Sequence, residues 1–263
     1  MANTVYANFV LAHEIEDQFN SHLDLVRFCT VDNSLEGEAG MKKIINVYSA
    51  TDGTEKLTMG KGNTKSIEAS FTPKEYEILL AQNRFQYYDE EYMKDPVAIE
   101  TGIRHMGTDM FNTEMADIYA EFNKATLTHT ASTPDFAAFV DMAAKLNLEN
   151  LEDIELFAFV SPADIAKVRK ALKDDLKYVE AFARNGYVGS VAGWNLYGKA
   201  DAVAGTIVGG TREAVTLFNK KGTEIEQERE GNIRQNILYS RKYYVAALTN
   251  TTKAVKLTIG AGE

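Results

Sequence analysis

Cysteine is almost missing from this 263-residue chain. Cys29 is the only one, so no intrachain disulfide can form and no cysteine-built zinc site is available. Histidine is scarce as well. None of His13, His22, His105 and His129 has a histidine or acidic partner at a metal-ligand spacing such as HExxH, so they read as surface or packing residues. No apolar run approaches the ~20 residues that a membrane helix needs. The N-terminal "MANTVYANFVLAHEIEDQ" lacks the basic start and apolar run of a signal peptide. Positive charge is in deficit, with 28 Lys+Arg against 38 Asp+Glu and a net charge of −10. Such a surface repels phosphate backbones and argues against a dedicated nucleic-acid binder, though not against a wall that must not stick to nucleic acid.

Catalytic motifs are missing too. "GTIVGGTRE" fits neither a GxxxxGK[ST] loop nor GxGxxG, and no GxSxG elbow is present. Cys29 has only Arg27 nearby to activate it, and reads as a small buried hydrophobe. The acidic "DEEYMKD" at 89–95 is explained by the helix that follows, whose N-terminus favours carboxylates. No catalytic residue, metal site or cofactor is expected.

What the chain does contain is a sequence of elements. Residues 1–36 place Val10, Phe19, Leu23 and Val26 at loosely helical spacing, ended by the polar "TVDNSLEGEAG". Residues 41–71 read as a β-hairpin with a long tip, "MKKIINVYSA" and "TKSIEASF" flanking "TDGT" and "MGKGN". A hairpin with so little to bury on itself is normally buried against something else. The spacing predicts a helix over 96–125, capped by Asp95 with Pro96 in its first turn. Ile99, Ile103, Met106 and Met110 mark its buried seam, and Phe111, Met115, Ile118 and Phe122 repeat the same steps one residue out of phase. Residues 133–214 alternate helix and strand: "ELFAFV" is a buried strand, and "SPADIAKVRKAL" has a Ser161 cap, Pro162 at the first position and Asp164 for the return contact. From Leu217 onward the texture is strand only.

One strand is unusual. "TEIEQERE" sets Glu224, Glu226, Glu228 and Glu230 at every second position, hence on one face, about 6.6 Å apart. Glutamate is a poor strand former and like charges on one face repel, so the stretch gains nothing for its own fold. A straight strand also splays the carboxylates instead of converging them on a cation.

The order of these pieces, from "VDNSLEGEAG" to "YYVAALTNTTKAVKLTIG", resembles the major capsid proteins of tailed bacteriophages, the Hong Kong 97-type fold. The resemblance implies an α+β protein. Its parts would be an N-terminal arm (1–36), an E-loop hairpin (37–72) and a peripheral domain with a long spine helix (73–132). An axial α/β domain (133–214), peripheral strands (215–238) and C-terminal strands of the axial sheet (239–263) would follow. It implies no enzyme but a shell subunit, forming hexamers and pentamers of an icosahedral head around double-stranded DNA, which it would touch only non-specifically. Its partners would be copies of itself, a separate scaffolding protein, a portal and decoration proteins, with no membrane involved. It would be made and assembled in the host cytoplasm and end in the virion. In this family the E-loop lies over a neighbouring subunit's peripheral domain. The tip "KLTMGKGNTK" carries Lys56, Lys61 and Lys65 and no acid, so its expected partner is the glutamate comb of that neighbour. Two alternatives accompany this reading: an encapsulin-type nanocompartment shell, and an α/β enzyme whose site is not recognised.

Overall fold

The structure is a computed structural model that describes residues 23–149, 154–173 and 189–260. After a 3-10 turn at Val26–Phe28 come β1 (Thr30–Asp32), β2 (Lys42–Ala50), β3 (Ala69–Glu77) and β4 (Leu79–Tyr88). Helices α1 (Asp89–Lys94) and α2 (Pro96–Asn123) are followed by β5 (Leu127–Ala131), α3 (Phe136–Lys145), β6 (Leu156–Val160) and α4 (Pro162–Ala171). Strands β7 (Ser190–Val191), β8 (Trp194–Gly198), β9 (Thr206–Gly210), β10 (Val215–Glu230), β11 (Gln235–Leu248) and β12 (Ala254–Ile259) complete the order.

The long helix α2 starts where sequence placed it. Asp95 accepts a hydrogen bond from the Ala98 N–H at 3.1 Å, and Pro96 fills a first-turn position that needs no donor. Its 28 residues extend about 42 Å along one face of a sheet ordered β1-β10-β11-β4. The seam differs from the expectation at one point. Ile103 is 39% exposed, whereas Gly102 faces the sheet with the Phe85 ring of β4 against it. The buried line is therefore Ile99, Gly102, Met106, Met110, still at helical steps of 3, 4 and 4. The acidic "DEEYMK" is itself a helix, α1, with Asp89, Glu90 and Glu91 in its own first turn. Their favourable dipole contact is with α1, not with α2.

The second sheet has the order β5-β12-β9-β6-β8-β7. β6 is buried along its whole length, covered by α3 on one face, while Phe157 and Phe159 meet Phe28 and Phe122 at centroid distances of 4.8–5.6 Å. Trp194 packs in the α3 side and donates its indole N–H to the Phe139 carbonyl at 3.0 Å. Ser161 caps α4 as expected, accepting from the Asp164 N–H at 3.1 Å; the fully buried Asp164 carboxylate accepts from the Ser161 hydroxyl at 2.7 Å instead of from its backbone N–H.

Two corrections concern which sheet a segment joins, and a third concerns the arm. β11 is one strand from Gln235 to Leu248, so "RKYYVAAL" belongs to the sheet under α2 and does not complete the α/β sheet; the expected boundary at 238/239 falls inside it. β5, expected with the peripheral part, pairs with β12 in the α/β sheet. Residues 25–29 are not a coreless arm either, because Leu25, Phe28 and Cys29 lie in the core against α2. The earlier arm residues, Val10 and Phe19 among them, lie outside the described residues.

The chain passes between the two sheets three times, at 124–126, 211–214 and 249–253. The last two passages are stitched together. The Ala214 carbonyl accepts from both Thr249 and Asn250 N–H at 3.1 Å, and the Thr211 N–H donates to the Lys253 carbonyl at 3.0 Å. Gly210 sits at the seam where a Cβ would stand 2.3 Å from that carbonyl, so no larger residue fits.

Candidate assembly surface

β2 and β3 form a hairpin, in register from Lys42↔Glu77 to Ala50↔Ala69; the second strand lies further on than sequence placed it, so "TKSIE" belongs to the tip and the strand runs to Glu77. Alternation gives it two faces. One is anchored at its base: the Tyr76 ring stacks 5.5 Å from Phe218, and Lys43 donates to Ser34 and lies 3.4 Å from Asp32. The other carries Ile44, 55% exposed, and Phe71, 65% exposed. A two-stranded ribbon is marginal in water, and apolar area left on it forfeits about 25 cal/mol per Å².

The tip between the strands is held by side chains. Asn63 Nδ2 donates to the Gly53 and Lys65 carbonyls at 3.1 and 2.7 Å. The Glu55 carboxylate accepts from the N–H and hydroxyl of Thr64 at 2.9 and 2.7 Å, which hold it below the usual carboxylate range. Glu55, one of three acids in this segment with Asp52 and Glu68, is thereby occupied. Lys56, Lys61 and Lys65 are exposed and make no ion pair among the described residues.

The glutamate comb forms as a comb. Glu224, Glu226, Glu228 and Glu230 oppose Arg241, Tyr239, Ile237 and Gln235 of β11, on the sheet face turned away from α2. They are not idle, contrary to the sequence reading. Glu224 pairs with Lys221 at 2.8 Å, which holds its carboxyl below the usual range; Glu226 pairs with Arg241 at 2.5 Å; and Glu228 accepts from the Tyr239 hydroxyl at 3.4 Å. Arg229 points to the opposite face and is spent on Asp89 at 2.8 Å. Within one chain, no ion pair among the described residues joins the comb to the tip lysines.

Two features escaped the sequence. One is the exposure of Ile44 and Phe71 on one hairpin face, which "KIINV" does not mark, since Ile44 and Ile45 stand side by side and Asn46 follows on the Ile44 face. The other is a sheet-to-helix ion pair, in which Lys242 Nζ donates to both carboxylate oxygens of Glu114 at 2.5 and 2.6 Å. A cavity of about 360 Å³ beside it is lined by Leu79, Leu80, Asp117, Glu121 and Tyr244. Its two carboxylates are already engaged, Asp117 by the Tyr244 hydroxyl at 2.7 Å and Glu121 by the Leu248 N–H and Lys124.

A strut helix on a four-stranded sheet, an α/β sheet beside it and a projecting hairpin together make the Hong Kong 97-type capsid fold. The capsid of cyanophage P-SCSP1u has it with a TM-score of 0.74 at 12% identity, covering 94% of this chain and 91% of that one. A virus-like particle from Pyrococcus furiosus has it with a TM-score of 0.57 at 13% identity, covering 89% and 92%. In sequence the chain is similar to the major capsid protein of Staphylococcus phage phiMR11, 27% identical over 268 residues, 97% of this chain and 93% of that protein. No protein-family model matches.

Proposed function

We propose that this chain is the major structural subunit of a phage head, and that its role is to assemble with copies of itself instead of catalysing a reaction. The observation that carries the reading is the hairpin, a two-stranded ribbon that leaves Ile44 55% exposed. A neighbouring copy supplies the missing cover. On this reading copies close into hexamers and pentamers of an icosahedral shell around double-stranded DNA, and the net charge of −10 keeps the wall from gripping the DNA. A separate scaffolding protein, a portal and decoration proteins complete the head, which is assembled in the host cytoplasm. Negative-stain microscopy of the purified chain should show closed shells. A stable monomer whose residues 41–71 are protected from hydrogen exchange overturns the proposal.

The contact we assign between copies is the one the charges favour: Lys56, Lys61 and Lys65 of one hairpin tip against Glu224, Glu226, Glu228 and Glu230 of the next. All are exposed, so each pair is weak and screened by salt, and only repetition around a shell makes the sum matter. Reversing Glu226 and Glu228 to Lys should impair assembly with the subunit still folded. Adding Lys61→Glu and Lys65→Glu should restore it in part. Normal assembly of the first variant across salt concentrations removes this contact from the proposal.

A further inference from the structure

Among the described residues, β10 has an open edge over its second half. β1 pairs with it only over Thr216–Phe218, and residues 33–38 cover the next turn through Asn219 and Lys220, which bond Asn33, Leu35 and Glu38. From Lys221 to Glu230, β11 is the only strand beside it among the described residues. Ten residues of unpaired backbone form a template for another strand. The stretch is flat enough to be used, because register is regular from Glu224 to Glu230 once the irregularity before Glu224 is passed. Ile225, 70% exposed, adds an apolar side chain on the face opposite the comb. The strand nearest at hand in any concentrated solution of this chain is the same edge of a second copy.

Symmetry decides how two such edges would meet. Antiparallel pairing of two identical edges in one continuous sheet requires a two-fold axis perpendicular to that sheet. The axis puts both combs on the same side. Even-numbered residues then oppose even-numbered residues in every register, so glutamate meets glutamate: Glu224 with Glu230 and Glu226 with Glu228 when the axis passes at Gln227. Directly opposed like charges, with Cβ atoms about 5 Å apart, destabilise a sheet. The intrachain partners do not cancel this. Lys221 and Arg241 engage one oxygen each of Glu224 and Glu226, and Glu230 has no counter-ion among the described residues.

We infer that the comb guards this edge: it forbids antiparallel pairing of β10 with β10 of a second copy, and leaves the edge open only to a segment that brings positive charge. Poor strand formers are kept at four alternate positions of a 16-residue strand because their charge excludes the wrong partner, which is this same chain. The guard acts on subunits before any shell closes and does not require the tip lysines to be the proper partner.

The test uses the full chain below its assembly concentration. Glu224, Glu226, Glu228 and Glu230 are changed together to Gln, which keeps shape and removes charge. Sedimentation velocity should show dimers or larger species rising about tenfold or more over the native comb, and amides 221–230 should exchange more slowly because the edge is covered. The native chain provides the second arm. At about 1 M salt, where the screening length falls to about 3 Å, it should move in the same direction without any mutation. A Gln variant that stays monodisperse with unchanged exchange at 221–230, or a native chain indifferent to salt, overturns the guard. Lys61→Glu with Lys65→Glu should leave both measurements as they were, which separates failure of the tip contact from failure of the guard.

Discussion

The Phe85 ring lies so close over Gly102 that a Cβ on the glycine would stand 2.5 Å from its Cζ. One glycine in the first third of α2 thus sets how near the helix sits to β4. Gly102→Ala should cost about 1–3 kcal/mol in urea unfolding despite alanine's better helix propensity, because the ring must leave its place. Adding Phe85→Leu should recover part of the loss, and the pair should be non-additive in a double-mutant cycle.

Lys242 and Glu114 tie β11 to the same helix further along, with side chains only 16% and 7% exposed. Lys242→Ala leaves a carboxylate without its cation in a nearly dry place and should cost about 3–5 kcal/mol. Replacing both residues by Met should cost much less than Lys242→Ala alone. Chemical denaturation of the three proteins side by side measures the difference.

Asp164 joins the cap of α4 to the loop before β9. Burial pushes its carboxyl up, but hydrogen bonds from Lys167 at 2.8 Å, Ser161 at 2.7 Å and the Gly205 N–H at 2.7 Å outweigh this and hold it below the usual carboxylate range. A carboxyl depressed in the folded state stabilises the fold above its unfolded value, about 3.9, and that contribution fades as pH falls through the lower folded value. Asp164→Asn should therefore cost about 2–3 kcal/mol near neutral pH. The gap to the native chain should narrow below about pH 4, as read from urea midpoints at pH 7 and pH 3.

The Cys29 thiol is pushed up to about 12, by burial first and the nearby Glu114 charge second, and it donates to the Val26 carbonyl at 3.2 Å. It should not react with a thiol-specific dye at pH 8 in the folded chain, and should react fully in denaturant. Reaction of the folded chain within minutes would place Cys29 outside the core.

These contacts show where sequence runs out. The seam of α2 was legible wherever an apolar side chain marked it, as at Met106 and Met110. It failed at Ile103 because the true contact is made by a glycine, which carries no hydropathy but admits a ring. The comb's alternation was legible in Glu224–Glu230, but its partners were not. Arg241 comes opposite Glu224 only because irregular pairing between Asn219 and Glu224 shifts the register by two, and pairing of that kind leaves no simple trace in composition. The continuity of β11 was missed, because "NIRQNILY" and "RKYYVAAL" read as two strands meeting at Tyr239–Arg241, where Ser240 is compatible with a turn. Which sheet it joins is a long-range matter that no local pattern carries.

The three passages of the chain between its sheets have a mechanical consequence. Any force that draws the two halves apart loads three lengths of covalent backbone in parallel, two of them bound side by side at Ala214 and Lys253. Such a joint resists being pulled open, and the core shared by Phe122, Phe157, Phe159, Val215 and Leu217 packs across it. A single proteolytic nick within 124–126 would leave the other two tethers taut.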